Sequence, residues 1–398
     1  MKNRPAALAA AQADRKPAYR PEFELLLCSA RTVPDSARIA ELVNAGIGWR
    51  GFLDLAANHG VRLLVYRALR AACWDRIPAD IQTELRETCQ SLTGKNLFLT
   101  GELLRITAEF EATGIPVAVM KGAVIAQMVY GDLALREFSD LDLLIGEADF
   151  FRAIELLHRL RYEPVWKCEN SKVLRFLRHV GEYAVANDLS QTEVDLHWRV
   201  ATKATALSPG VSDFPSGFCP VQIAGATVMS FALQDLPLYL AAQGGWDQWC
   251  ELRRICDAAE FLRRYPEIEW EPSLKAAQRL GGLRSMLTGL SLASRLLGAE
   301  LPESVHSRIR ADARVSELVE RTIRNLQRNQ DPSESTSRYL FQMKAKQGVR
   351  GKIALAYSIV INRTAKDGRW IMLPRPLWWL YALLRPLRMS GKIVRRED

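Results

Sequence analysis

The feature that most restricts what this chain can fold into is a pair of aspartates one residue apart in an apolar run, Ser139-Asp140-Leu141-Asp142-Leu143-Leu144. In a strand each residue advances about 3.3 Å and successive side chains alternate faces, so Asp140 and Asp142 share one face with Cα atoms roughly 7 Å apart. Leu141 and Leu143 then take the opposite, buried face. A third carboxylate arrives in Glu193-Val194-Asp195-Leu196-His197-Trp198, another alternating run that fits beside the first strand. Converging carboxylates suit hard, oxygen-preferring Mg²⁺, which usually binds through a few carboxylates plus the phosphates of a substrate. Two such ions clamp the attacking and leaving oxygens of a phosphoryl or nucleotidyl transfer. Asp140, Asp142 and Asp195 are therefore the expected metal ligands and catalytic carboxylates. His197 shares a face with Asp195 by the same period of two. It is open to three readings: orienting a carboxylate, acting as a base, or holding structure through hydrogen bonds.

The segment upstream suits the same chemistry. Ile115-Pro116-Val117-Ala118-Val119-Met120 reads as a short strand, followed by Lys121-Gly122-Ala123 and a helix over residues 124–130. A strand that enters a helix through glycine lets backbone N–H groups approach an anion, and the helix N-terminus adds partial positive charge. A triphosphate fits there. The expected nucleotide contacts are Lys121, Gly122, Ala123, Arg136 and Ser139, with Arg136 the candidate for bidentate contact because of its planar fork. Each piece alone is weak evidence. Their order (strand, glycine turn, helix, Asp-x-Asp strand, helix, hairpin with a third carboxylate) is what gives the reading weight.

These residues resemble a known family. The run from Met120 to Ile145, with Lys121-Gly122-Ala123, Val129-Tyr130-Gly131-Asp132, Leu135-Arg136 and the Asp-x-Asp strand, is similar to the bacterial "uncharacterised nucleotidyltransferase" family of the DNA polymerase β-like superfamily. Val194-Asp195-Leu196-His197-Trp198 is similar to its third-carboxylate motif. Trp49 with Ala56-Ala57-Asn58-His59-Gly60-Val61, and the stretch from Leu240 to Asp257, resemble its flanking helical regions. The resemblance implies an α+β fold: a minimal nucleotidyltransferase core, a small mixed sheet with helices, flanked by N-terminal and C-terminal helical regions. It also implies transfer of a nucleoside monophosphate from a nucleoside triphosphate with Mg²⁺, two ions being expected. Members often accompany genes for peptide natural products or exported polysaccharides, so the acceptor class is a peptide, sugar or small molecule. Two departures stand out. The superfamily usually has Gly-Ser or Gly-Gly at the phosphate turn, where this chain has Gly122-Ala123. The downstream segment usually carries a His-Gly-Ala-Lys-His-like run, where this chain has Gln243-Gly244-Gly245-Trp246-Asp247. Two other readings remain at this stage: transfer of another activated group, such as a sugar, on the same metal site, or a non-catalytic scaffold that binds nucleotide or a partner.

A chain of 398 residues with 48% hydrophobic content buries a substantial core and suggests two or three structural units. Residues 1–20 read as a basic flexible tail, 21–112 as a helical region, 113–228 as the core, 229–340 as a second helical region, and 341–398 as a basic, Trp-rich extension. Apolar residues recur at helical spacing over residues 35–111, for example Ile39, Leu42 and Val43, and later Leu97, Leu99, Leu103 and Leu104. Asp149 is the expected cap of a helix whose Phe151, Ile154, Leu157 and Leu160 form one stripe. Residues 183–186 and 194–196 read as a hairpin, and residues 221–223 and 226–228 as a second one around Ala224-Gly225. The Ser-, Pro- and Gly-rich stretch 204–220 reads as an exposed loop able to cover the site. Further helices are expected at residues 236–240, 252–261 and 283–297.

The seven cysteines are odd in number and scattered, without a Cys-x-x-Cys pair, so they suggest neither a disulfide framework nor zinc spacing. The N-terminus lacks an uninterrupted apolar signal-peptide core, so a cytoplasmic protein is expected. The net charge of +9 is uneven: residues 344–398 hold 13 Lys or Arg against 3 acids, or +10, leaving the remainder near neutral. There the basic residues interleave with Trp370, Trp378, Trp379 and Tyr381. Prolines and arginines in this stretch argue against a spanning helix, which needs about 20 mostly apolar residues. Packing on the protein is the leading reading, with docking on a partner or the inner membrane face next. Nucleic acid is disfavoured as a partner, because no recognition signature accompanies the charge.

Overall fold

The computed structural model describes residues 19–165, 181–201, 204–329 and 335–361, together with the isolated residues 380 and 384. The basic tail, Cys168 and nearly all of the Trp-rich segment 370–386 lie outside the described residues.

Four short helices open the described residues: α1 (Pro21–Ser29), α2 (Ser36–Ala45), α3 (Trp49–Asn58) and α4 (Arg62–Ala72). The Asp35 side chain caps α2 by accepting from the Arg38 N–H, as expected of an aspartate before an apolar helical repeat. The 34-residue α5 (Ala79–Ala112) then runs into the sheet region. Its inward positions Leu85, Leu99, Leu103, Ile106 and Phe110 are buried, whereas Leu97 and Phe98 project outward and are about half exposed.

The central sheet is mixed and has the strand order β1-β2-β5-β4-β3, formed by β1 (Val117–Val119), β2 (Leu141–Ile145), β3 (Glu163–Pro164), β4 (Glu182–Asn187) and β5 (Thr192–His197). β2 and β5 are parallel, and every other pairing is antiparallel. A parallel pair requires a crossover, and α7 (Phe150–Arg159) lies on the one between β2 and β5. Along β5 burial alternates, with Thr192, Val194 and Leu196 inside and Asp195 and His197 on the more open face. Phe150 of α7 meets Trp198 and Tyr183 edge-on at centroid distances of 4.5 and 6.0 Å, covering the apolar side. Between β1 and β2 lies the short α6 (Ala123–Ile125), which continues as a π-wound turn over Ala126–Tyr130.

A second hairpin, β6 (Phe218–Ile223) and β7 (Ala226–Phe231), abuts β1, where the Ser230 hydroxyl donates to the Val119 carbonyl at 2.7 Å. Ala224 and Gly225 both have positive φ, as a two-residue hairpin turn requires. Helices follow: α8 (Leu236–Trp246), α9 (Leu252–Arg264), α10 (Glu271–Arg279), α11 (Leu283–Leu297), α12 (Glu303–Ala311), α13 (Ala313–Arg328), α14 (Ser335–Ala345) and α15 (Val349–Ile361). Buried residues of α9 and α11 join the same hydrophobic core as the sheet. The architecture is thus a small mixed sheet with helical flanks on both sides.

Three local expectations need correction. Residues 204–220 are an exposed loop only in part: residues 210–212, 215 and 216 are exposed, but Ala206, Leu207 and Phe214 are buried, and the Ala206 N–H donates to Gln342 Oε1 at 2.7 Å. Their Ser, Pro and Gly content marked irregular backbone, but the interleaved apolar residues tie that backbone to the helical region. Asp149 makes no capping bond; its carboxylate pairs with Arg152 at 2.8 Å instead. The buried stripe of α7 is Phe150, Ala153, Ile154, Leu156 and Leu157, with Phe151 turned half outward.

Candidate active site

Registration of the two parallel strands builds the site. Leu141 lies opposite Val194, Asp142 opposite Asp195, and Leu143 opposite Leu196. The leucines and valine face the core, so both aspartates emerge side by side on the other face. His197, two residues after Asp195, follows on that same face. Its Nε2–H donates to Asp142 Oδ1 at 3.0 Å. Donor atoms of Asp142, Asp195 and His197 all lie within 4.8 Å of one another.

Lys121 leaves the end of β1 and places its Nζ 3.2 Å from Asp140 Oδ2 and 3.0 Å from Asp142 Oδ2. Asp140 thus borders the cluster through an ammonium and is not itself among the three grouped donors. The sequence places Asp140 and Asp142 as equal arms of one chelate; the structure separates them. Asp142 is fully buried, whereas the Asp140 side chain, just ahead of β2, is 30% exposed. Ser139 turns its hydroxyl towards Asp140 Oδ1 at 3.4 Å.

The turn into α6 is made by Gly122 at φ 70°, ψ −122°, a conformation that side-chain-bearing residues strongly disfavour. Ala123 is buried as the first helical residue. Four backbone N–H groups at a helix start lack an intrahelical partner.

Arg136 is placed differently from the expectation. It is buried, and its Nε and Nη2 donate to the two carboxylate oxygens of Asp257 on α9, each at 2.9 Å. The Tyr130 hydroxyl donates to the same carboxylate at 2.9 Å. The fork that the sequence offers to phosphate is thus taken up in holding α9 against the turn that follows Gly122. The loop between that turn and β2 is pinned from three helices. Asn96 of α5 donates to the carbonyls of Leu133 and Arg136, Arg62 of α4 donates from Nε and Nη2 to Glu137 Oε2, and Arg253 of α9 donates to the Glu137 carbonyl.

Electrostatics sort the two strand aspartates into different states. Burial and the adjacent Asp142 carboxylate push the Asp195 carboxyl up to about 7. Burial works against the Asp142 charge as well, but the His197 hydrogen bond and the Lys121 ammonium outweigh it and hold Asp142 below the usual carboxylate range. Burial likewise opposes charging of His197, yet its bond to Asp142 and the surrounding carboxylates raise it. For Lys121 the two aspartates overcome burial and raise it.

A divalent cation fits this donor set. Asp142 Oδ2 is buried and, apart from its ion contact with Lys121, has no hydrogen-bond partner. Two carboxylates meet there, and His197 fixes one of them, as outer partners of metal ligands do.

Residues 45–298 match the family model described as "Uncharacterised nucleotidyltransferase". The chain belongs to that family. No curated protein and no solved structure matches it. The nucleotidyltransferase match spans every residue of the cluster just described, together with α3 to α11. Generic nucleotidyl transfer is the activity the family carries, with a nucleotide substrate and a divalent-metal site. Among the described residues no helix is long and apolar enough to cross a membrane.

Sequence reasoning missed Asp257 and Arg254 on α9 and Tyr239 on α8. Their one legible signal is spacing: Arg254 and Asp257 are three apart in a predicted helix and therefore share a face. The departing run Gln243-Gly244-Gly245-Trp246-Asp247 has a packing role. A Cβ on Gly244 would stand 2.2 Å from the Trp249 ring, and the Asp247 carboxylate holds Arg254 Nε at 3.1 Å.

Proposed function

We propose that this protein is a Mg²⁺-dependent nucleotidyltransferase that moves a nucleoside monophosphate from a nucleoside triphosphate to an acceptor in a biosynthetic pathway. The observation that carries the reading is the in-register pairing of Asp142 and Asp195 on parallel strands, with His197 bonded to Asp142, in a chain of a nucleotidyltransferase family. Asp142 and Asp195 would hold the metal, with Asp140 and Lys121 at its margin. When bound, divalent cations neutralise the developing charge on the phosphoryl oxygens and orient the attacking and leaving groups. His197 holds the Asp142 carboxylate in one orientation. The Gly122 and Ala123 backbone N–H groups would donate to a phosphate oxygen, and Lys121 would supply compensating charge. An acceptor hydroxyl, phosphate or amine attacks the α-phosphorus, the bond from that phosphorus to the bridging oxygen breaks, and pyrophosphate departs. The acceptor proton passes to the Asp195 carboxylate, which stands beside Asp142 on the neighbouring strand.

The test uses nucleoside triphosphates labelled at the α- or γ-phosphate, presented with a pool of peptides, sugars and small metabolites. Label transfer from the α position alone, with stoichiometric pyrophosphate and loss of both in Asp195→Asn, is the expected result. Transfer of the γ label would overturn the assignment.

A further inference from the structure

Two arginines stand near the carboxylate cluster, and they are used in opposite ways. Arg136 commits Nε and Nη2 to Asp257. Arg254 commits only Nε, to Asp247 Oδ2 at 3.1 Å, and its two Nη groups make no hydrogen bond among the described residues. The Arg254 side chain is only 11% exposed, yet neither Nη is sealed from solvent. A guanidinium held by one edge in a recess, with the other edge open, is built to receive an oxyanion in bidentate fashion.

The surroundings place Arg254 beside the same site. Arg254 lies one turn before Asp257 on α9, and Asp257 is bonded to Tyr130 and Arg136, which flank the approach to β2. Lys121 and Tyr239 both feel the Arg254 charge, and Tyr239 also feels that of Asp142. An independent observation concerns Tyr239. Its ring stacks on Phe231 at 4.6 Å, next to the Ser230 bond to β1, and its hydroxyl is buried with no hydrogen-bond partner. A buried hydroxyl without a partner costs free energy, which a hydrogen bond from water or from a ligand would offset.

We propose that the open fork of Arg254, aimed by Asp247, and the Tyr239 hydroxyl form a polyphosphate-binding wall that the second helical region contributes to the nucleotide site. This rests on the nucleotidyltransferase reading and extends it: Arg254 takes the phosphate-binding part that the sequence gives to Arg136. Asp247, which stands in the run that departs from the family resemblance, becomes a positioning residue for that contact.

The experiment is calorimetric titration with inorganic tripolyphosphate, with and without Mg²⁺, for the parent, Arg254→Gln, Arg254→Lys, Tyr239→Phe and Asp142→Asn, each checked by thermal melting. Tyr239→Phe removes only a hydroxyl that bonds nothing, so folding alone predicts an unchanged or higher melting temperature. Charged hydrogen bonds of this kind lead us to expect at least about tenfold weaker binding in Arg254→Gln. Arg254→Lys should recover part of the affinity, and Tyr239→Phe should bind several-fold more weakly with its melting temperature intact. Parent-like affinity in both Arg254→Gln and Tyr239→Phe would overturn the wall, while a Mg²⁺ dependence lost in Asp142→Asn would leave the carboxylate reading standing. If Arg254→Gln fails to fold, Tyr239→Phe decides. No binding of tripolyphosphate by the parent would overturn the proposal outright.

Discussion

At the scale of single residues, the cluster contains two aspartates, opposite each other on neighbouring strands, with opposed proton affinities. Asp142 stays ionised because His197 and Lys121 stabilise its charge, whereas Asp195 is held near neutrality by burial and by Asp142 itself. An acid whose affinity for its proton is higher folded than unfolded adds stability below its unfolded value of about 3.9, and that contribution disappears as pH rises towards the folded value. Metal-free protein should therefore lose stability between about pH 4 and pH 7, with the raised His197 continuing the loss above its ordinary value. Asp195→Asn should flatten the acidic part of that slope, which thermal melting across pH would register; an unchanged slope would contradict the assignment. The Arg136–Asp257 pair is a different case, since both partners are buried and each satisfies the other. Removing one partner by Arg136→Met should destabilise the protein by about 3–5 kcal/mol, measurable by denaturant unfolding. The sequence made the pairing of Asp142 and Asp195 legible, because a period of two with apolar neighbours permits one register. It did not make the fate of Arg136 legible, because the partner carboxylate lies 121 residues away and no local pattern links them.

At the scale of elements, glycines decide how closely the second helical region approaches. Trp249 is buried between α8 and α11, and a Cβ on Gly289 would lie 2.0 Å from its ring. Alanine gains about 1 kcal/mol over glycine in an open helix, but overpacking of a filled site typically costs 1–3 kcal/mol. Gly289→Ala should therefore lower stability despite better helix propensity, and a stabilised variant would contradict this packing. At the turn into α6 the neighbours are no closer than 3.5 Å to an added Cβ, so the obstacle at Gly122 is its positive φ alone. Gly122→Ala should cost about 1–3 kcal/mol or displace the turn, read by melting and by nucleotide affinity together. Helices and hairpins were legible because their periodicities are local. The packing of residues 204–220 was not, since their Ser, Pro and Gly content described the backbone's irregularity and said nothing of Ala206 and Leu207 pressing on the helical region. A Cβ on Gly282, for instance, would stand 2.7 Å from the Leu207 Cα.

At the scale of the whole molecule, the sheet supplies the carboxylates and the helices on either side fix the loops that carry them. Three different helices, α4, α5 and α9, bond to the segment ahead of Asp140. That tertiary bracing was invisible to pattern reading, although the order of strand, turn and hairpin foretold the sheet itself. The basic extension contributes the whole of the net charge, while the site balances its own charges internally. Polyanions are attracted to that extension as well, so a variant that leaves it intact separates binding at the site from binding at the tail. A ligand that binds the folded state alone, present at about 100 times its dissociation constant, adds about 2.7 kcal/mol to stability. The most direct measurement is the thermal stability of the parent and of Asp142→Asn with Asp195→Asn, titrated with each of the four ribonucleoside triphosphates, with and without Mg²⁺. A Mg²⁺-dependent rise in the parent with at least one triphosphate, and none in the double variant, is the expected result; an equal rise in both would contradict the assignment of Asp142 and Asp195 to the metal site.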